Sequence, residues 1–415
     1  MRVVRAMRRI LLPRRPGRDT SVTQDCIFYA SLEHDAPATC LVLTPLLGPD
    51  QTLPYYHPRV RHIAFRLFES TLRIEAVPLP DTPPLTLESR LYRTCLSLLD
   101  TAQRYLWGQT IHWQKRVRHD LLVPRDAYQD LYLVMRERHK HLAQDWKEET
   151  DPLKHVFEEI GIAVYLMLLW KTAYAADDDT NRRRAVAVPG EPWKLWPRPP
   201  GGFLDLGCGA GMLTHVLVAE GYEGIGLDVR ARKSWEHYPA ATRDCLRVHT
   251  LNPTHVLSRT WESASYFQPG VFLVGNHADE LTPWMPVLSA LTPGSAYFSL
   301  PCCTFTLDTR FERDHPPDLP EAGSQLDLGQ LCMPASESNM PSSYEAYRIW
   351  LGRLSLVCGW KIECDNLRIP STRNWAIIGR ERTNTPPSEV RRVVRELVQE
   401  TVDRGVFTAR GSRGG

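Results

Sequence analysis

From residue 203 onward, short apolar runs alternate with stretches whose apolar residues recur every three or four positions. The runs fall at 203–206, 224–227, 271–274, 296–300, 361–364 and 375–378. Each has the length of a strand, and helical spacing fills most of the intervals. Strands separated by helices imply a parallel sheet with right-handed crossovers, so the pattern predicts a doubly wound α/β domain. Residues 303–342, rich in proline and poor in apolar runs, read as an insertion over the sheet edge. Upstream, helical spacing predicts helices over 87–107, 125–146 and 152–174, with Tyr128, Leu131, Val134 and Leu142 sharing one face. Thr150 or Asp151 is placed to cap the third, with Pro152 at its first position. Residues 62–68 and 71–77 read as strands, 39–44 as a short one, and the rest of 1–54 as irregular. A last helix is predicted over 388–403, capped by Ser388, with Val390, Val393, Val394 and Leu397 on one face. Residues 178–184, followed by the prolines of 189–202, read as a linker. The resulting plan is an irregular basic arm (1–54), a mostly helical region (55–188), an α/β domain (189–380) and a basic tail (381–415).

Composition adds a hidden asymmetry to this plan. The 415 residues carry 50 basic and 48 acidic side chains, a net charge of +2. Residues 1–18 contain seven arginines and no acid, and 380–415 hold eight arginines against five acids. The body between them is net −8. A nucleic-acid partner would therefore have to meet local basic patches. The longest apolar run, 160–170, is well short of the roughly 20 residues of a spanning helix, so no membrane segment is expected. The arginine-rich start resembles a transit peptide in composition, but Pro13 and Pro16 interrupt any amphipathic helix, and a flexible arm is the expectation. Ten scattered cysteines without a CxxC pair read as reduced thiols of a cytoplasmic protein.

The chemistry starts at Phe203-Leu-Asp-Leu-Gly-Cys-Gly-Ala-Gly-Met212. A strand ends near Asp205, Gly207, Gly209 and Gly211 follow at alternate positions, and a helix begins at once. Glycines allow positive φ and close backbone approach, and the helix start offers free N–H groups. A glycine turn alone also occurs without a ligand; the flanking strand and helix, with Asp228 ending the next strand, favour a cofactor. Dinucleotide folds use GxGxxG. The DxGxGxG here resembles motif I of the class I S-adenosylmethionine-dependent methyltransferases. In that reading Asp205 faces the cationic amino-acid and sulfonium end, and Asp228 accepts from a ribose diol. The strand ending near Val274 leads into Gly275-Asn-His-Ala-Asp-Glu-Leu281, where base-amine methylating enzymes carry [DN]-P-P-[FYW]. His277-Ala278 in place of Pro-Pro argues against an amine acceptor. Asn276, His277, Asp279 and Glu280 form a titratable cluster instead, although Asp279 and Glu280 also suit a helix start.

Taken with Lys115-Arg-Val-Arg-His-Asp120, the stretch 150–163, Asp228–Trp235, Gly275–Trp284, Leu300-Pro-Cys-Cys303 and Leu367-Arg-Ile-Pro-Ser-Thr-Arg-Asn374, the sequence resembles the tRNA (uracil-2′-O-)-methyltransferase family acting on uridine 44 of serine tRNAs. The resemblance covers about 110 to 380. It implies a Rossmann-like class I methyltransferase domain, S-adenosylmethionine as cofactor, serine tRNA as partner and methylation of a ribose 2′-oxygen. That oxygen is a poor nucleophile and needs proton removal and positioning. His277, Asp279 or Glu280 can take the proton, Lys233 or Arg373 can hold the adjacent phosphate, and Asn374 can orient the ribose or base. No zinc-finger spacing occurs, so no metal is expected. Cys302 or Cys303 allows a rival, C5-methylation of a pyrimidine through a thiolate, and a non-catalytic RNA-binding scaffold is the third reading. For RNA contact, 104–142 carries Arg104, Lys115, Arg116, Arg118, Arg125, Arg136, Arg138 and Lys140 among Tyr105, Trp107 and Trp113. Arg182, Arg183 and Arg184 offer a second contact. Neutralising Arg116, Arg118 and Arg125 together is expected to weaken tRNA binding, measured by fluorescence anisotropy at fixed salt, while cofactor affinity stays unchanged.

Overall fold

In a computed structural model, residues 1–13, 19–33, 35–48, 51–69, 71–80, 82–110, 119–175, 190–322, 326–331 and 342–410 are described. The chain divides into two units, Met1–Gln114 and Lys115–Gly415. In the first, β1 (Arg2–Leu11), β2 (Val22–Ala30), β3 (Ala38–Leu46), β4 (Val60–Phe68) and β5 (Thr71–Pro78) form an antiparallel meander in sequence order. The helix α1 (Arg90–Thr110) brings Leu91 onto Cys26, Leu43, Val60 and Ile63. Residues 1–54 are thus three strands, not an irregular arm. The strand β1 escapes pattern reading because it is an edge with its first nine residues exposed, so no apolar face alternates. Backbone pairing holds it, with Met7 opposite Cys26 and Leu11 opposite Val22. Its arginines discourage further strands from adding.

The second unit begins with α2 (Arg125–His139) and α3 (Pro152–Ala173). Seven strands follow: β6 (Phe203–Leu206), β7 (Gly224–Asp228), β8 (Leu246–Val248), β9 (Phe272–Asn276), β10 (Ala296–Leu300), β11 (Glu363–Asn366) and β12 (Trp375–Gly379), ordered β11-β12-β10-β9-β6-β7-β8. The strand β12 is antiparallel to both neighbours and the remaining pairings are parallel. The helices α4 (Met212–Ala219), α5 (Trp284–Leu291) and α6 (Ser343–Val357) cross between strands, and α7 (Pro387–Arg404) follows the last one. This is the doubly wound sheet the alternation predicts, with β8, only three residues long, unanticipated. The strand order reverses at β6, so a crevice opens beyond the carboxyl ends of β6 and β9.

The two upstream helices belong to this unit, not to a separate helical domain. Every residue of 160–170 is buried, as expected of a helix apolar all round. Trp170 packs on Phe203 and Phe272 at 6.0 and 5.4 Å between ring centroids. Asp151 supplies the cap, accepting from the Leu153 and Lys154 amides at 3.0 and 3.3 Å. In α2 the buried face is Tyr128, Leu131 and Met135, while Val134 is exposed. Gly161 lets α2 approach α3: a Cβ there would lie 2.9 Å from the Tyr128 hydroxyl.

The break expected near 190 is instead packed structure. Trp193 is buried and its indole donates to Glu220 Oε2 at 2.7 Å, while Arg138 and His139 meet Oε1 at 3.0 and 2.7 Å. Burial pushes the Glu220 carboxyl upward, but His139 and Arg138 outweigh it and hold it below its ordinary range. Residues 178–184 lie outside the described residues. Pro386, not Ser388, stands at the N-cap position of α7, with no side-chain cap bond, and the helix buries Val390, Val394, Leu397 and Val398. Part of 303–342 joins the core through Leu307 and Phe311. Trp170→Ala, which removes a fully buried ring from the α3–sheet contact, is expected to lower the unfolding free energy by ~3–5 kcal/mol in urea titration.

Candidate active site

Beyond the ends of β6, β7 and β9 lies a cleft of about 930 Å³, within the range of ligand sites. Its floor is the glycine turn, where Gly207, Gly209 and Gly211 take φ of 76°, 53° and 71°. At Gly209 a side chain would be strained by that φ, yet no atom lies within 4 Å of its would-be Cβ: the backbone is bared to the cleft. The turn is braced from the β7 side. Asp228 Oδ2 accepts from the Gly209 amide at 2.9 Å, the Trp235 indole donates to Gly209 O at 2.9 Å, and the Tyr238 hydroxyl donates to Ala210 O at 3.0 Å. Asp228 is therefore a strut for the turn as well as a cleft-lining acceptor.

Two acids from α3 complete the deep end, and sequence reasoning did not single them out. Asn276 Nδ2 donates to both oxygens of Glu159, at 3.0 and 2.9 Å. Burial, then the charges of Asp205 and Glu158, push the Glu159 carboxyl up to about 8. Asp205 accepts from the Thr214 hydroxyl at 2.9 Å through Oδ2, while its buried Oδ1 has no partner among the described residues. Burial raises Asp205 to about 7. Glu158 Oε1 lies 3.4 Å from His277 Nε2. Burial acts upward on Glu158 too, but the hydrogen bond and charge of His277 outweigh it and leave the carboxyl below its ordinary range. A legible signal existed: adjacent glutamates at the head of a long apolar run.

After β9 the chain takes a strained path. His277 and Asp279 adopt φ of 56° and 49° on either side of buried Ala278. Left-handed non-glycine residues cost on the order of 1–3 kcal/mol each and cluster at functional sites. The turn sets Asp279 and Glu280 at the cleft wall, where Arg410 meets both: Nη1 donates to Asp279 Oδ2 at 2.8 Å and Nε lies 3.0 Å from Glu280 Oε2. Cys302 Sγ is 3.7 Å from Asp279 Oδ1 and 3.6 Å from Cys303 Sγ. These three side chains could converge on a cation, but Asp279 already holds an arginine. Burial, with Cys303 and Asp279 beside it, pushes the Cys302 thiol up to about 12, which opposes the thiolate that C5-methylation requires.

Other expected site residues lie elsewhere. Lys233 sits at the cleft rim, 3.8 Å from Glu149. Asn374 is not at the cleft wall: its Nδ2 donates to Leu367 O at 2.7 Å and closes the β11–β12 connection. Arg373 also lies off the wall, stacked 3.8 Å over the Tyr344 ring. The motif around Asp120 serves structure, since Arg368 donates to its two carboxylate oxygens at 2.7 and 2.6 Å. In the basic stretch, Arg138 and Lys140 engage Glu191 and Glu137, whereas Arg125 is exposed. Lys115, Arg116, Arg118, Trp113 and Arg182–Arg184 lie outside the described residues, as do the side chains of Arg104 and Trp107.

Residues 1–116 match the family described as "TRM44-like, N-terminal bet v1-like domain", and 122–185 with 194–253 match "Predicted AdoMet-dependent methyltransferase". The Schizosaccharomyces pombe protein named tRNA (uracil-O(2)-)-methyltransferase is 34% identical over 397 residues, 90% of this chain and 71% of its own length. The protein of the same name from Neurospora crassa is 32% identical over 413 residues, covering 91% and 72%. This chain belongs to the tRNA (uracil-O(2)-)-methyltransferase family.

Its second unit is a class I S-adenosylmethionine-dependent methyltransferase domain, and the site residues fit that cofactor. A ligand bearing an ammonium and a sulfonium suits the buried Asp205 carboxyl with its unpaired acceptor and the half-buried Glu159; the bared Gly209 backbone admits close approach. Because a bound cation favours the ionised acids, binding should release protons. Affinity for S-adenosylmethionine is then expected to rise by about tenfold from pH 6 to pH 7.5, measured by calorimetry in buffers of different ionisation heat. Proton uptake, or a flat profile, would contradict the assigned role of Asp205 and Glu159.

Proposed function

We propose that this protein methylates the ribose 2′-oxygen of a uridine in tRNA, with position 44 of serine tRNAs as the target. The family relatives' shared name supports the tRNA and uridine parts of this reading. The observation that carries the chemistry is the His277–Glu158 pair at the end of β9. A histidine oriented by a carboxylate is the arrangement of a general base. Asp279 and Glu280, the other two candidates, are already paired with Arg410. The side chain of His277 remains 34% exposed in the cleft, open to an incoming hydroxyl.

Bound at the glycine turn, S-adenosylmethionine would supply an activated methyl group. The protein's part is then to hold and deprotonate the acceptor. Asp205 and Glu159 balance positive charge at the deep end, Asn276 fixes Glu159, and His277 Nδ1, the ring nitrogen turned away from Glu158, receives the 2′-hydroxyl proton while Glu158 steadies the resulting imidazolium through Nε2. The turn through His277 and Asp279 keeps this base beside the glycine turn: a Cβ on Gly207 would lie 3.6 Å from Ala278 Cα.

The deciding experiment incubates unmodified serine tRNA with labelled cofactor and digests the product in alkali. One alkali-resistant phosphodiester after a uridine is expected; an alkali-sensitive methylated product would overturn the reading. His277→Ala should lower kcat by roughly 10²–10⁴-fold with cofactor affinity retained. A kcat within twofold of the wild type would remove His277 from the role of base.

A further inference from the structure

The cleft presents a charge problem that its known ligand does not solve. Among the described residues lining it are eight carboxylates and four cationic side chains. That excess suits a cationic cofactor but repels a polyanion. Three of the cations, Arg230, Arg232 and Lys233, follow β7 on the side of Asp228. The fourth, Arg410, meets Asp279 and Glu280, the acids that follow His277 beyond β9.

Arg410 is held there by more than its own ion pairs. The chain leaving α7 is pinned at Arg404, whose Nε donates to Asp308 Oδ2 at 2.6 Å. It is pinned again at Phe407, whose ring meets the buried Trp284 edge-on, with centroids 5.9 Å apart. Two anchors within seven residues thus deliver the guanidinium to Asp279 and Glu280. Those carboxylates orient the planar group, yet 53% of its side chain stays exposed. An arginine fixed on one edge and open on the rest is suited to a phosphate oxygen.

We propose that Arg410 is an acceptor-positioning residue that binds a backbone phosphate next to the target nucleotide and cancels the repulsion of Asp279 and Glu280. This rests on the RNA methyltransferase reading above. It assigns a task to the segment that follows α7.

The test compares Arg410→Ala and Arg410→Lys with the wild type, using full-length protein and unmodified serine tRNA. Arg410→Ala is expected to raise KM for tRNA at least fivefold and to flatten its dependence on log salt by about one phosphate contact, roughly 0.7–0.9. The dissociation constant for S-adenosylmethionine should stay within twofold, and Arg410→Lys should recover part of the loss. An unchanged KM and salt slope would overturn the proposal. So would a rise in kcat/KM, which would mark the segment as a block on the site. A parallel loss of cofactor affinity and thermal stability would also overturn it, as a purely structural contact. The wild-type control separates the two ideas: if it methylates no ribose, the function reading fails before Arg410 is tested.

Discussion

Burial of α3 against the sheet is the constraint on which the cleft depends. Residues 160–170 are apolar on every side, so the helix has no stable place except between α2 and the strands. Trp170 sets its depth on Phe203 and Phe272, and Gly161 removes the side chain that would hold Tyr128 away. Immediately before that stretch, the fixed axis carries Glu158 and Glu159 to the end of β9. Neither acid would choose this environment; the packing energy of the helix places them there, and Asn276 and His277 give them partners.

The site is consequently a graded field. Its deep end gathers carboxyls that burial pushes toward neutrality, while its mouth joins acids to an arginine. The two left-handed residues between these zones are stabilised by their surroundings, with Ala278 buried against the glycine turn. A cationic ligand and a polyanionic one can thus share one cleft at opposite ends.

Much of this architecture was legible in the sequence. The strand–helix alternation, the glycine turn and the residues after β9 were readable because each follows a local rule of period or turn chemistry. The edge strand β1 was not, since its partner is chosen by backbone bonding and its side chains carry no alternating pattern. The helical reading of 125–146 and 152–174 was right in kind, though α2 already ends at His139, but not in allegiance, because a helix pattern does not say which sheet it covers. Asn374 and Arg373 were read toward the site without tertiary information; the fold sets them away from the cleft wall, on Leu367 O and over the Tyr344 ring. Arg410 belongs to the same class of long-range fact.

The Asp120–Arg368 ion pair joins residues 248 positions apart. During synthesis at about 5–20 residues per second, roughly 12–50 s pass between the emergence of one partner and the other. In that interval Leu122 before α2 and Tyr165 of α3 have no Asp365 of β11 to bond to. The growing chain therefore passes through a stage in which α3 already has Phe203 and Phe272 against it while the last part of its cover, Leu367 and Ile369 beyond β11, is still missing.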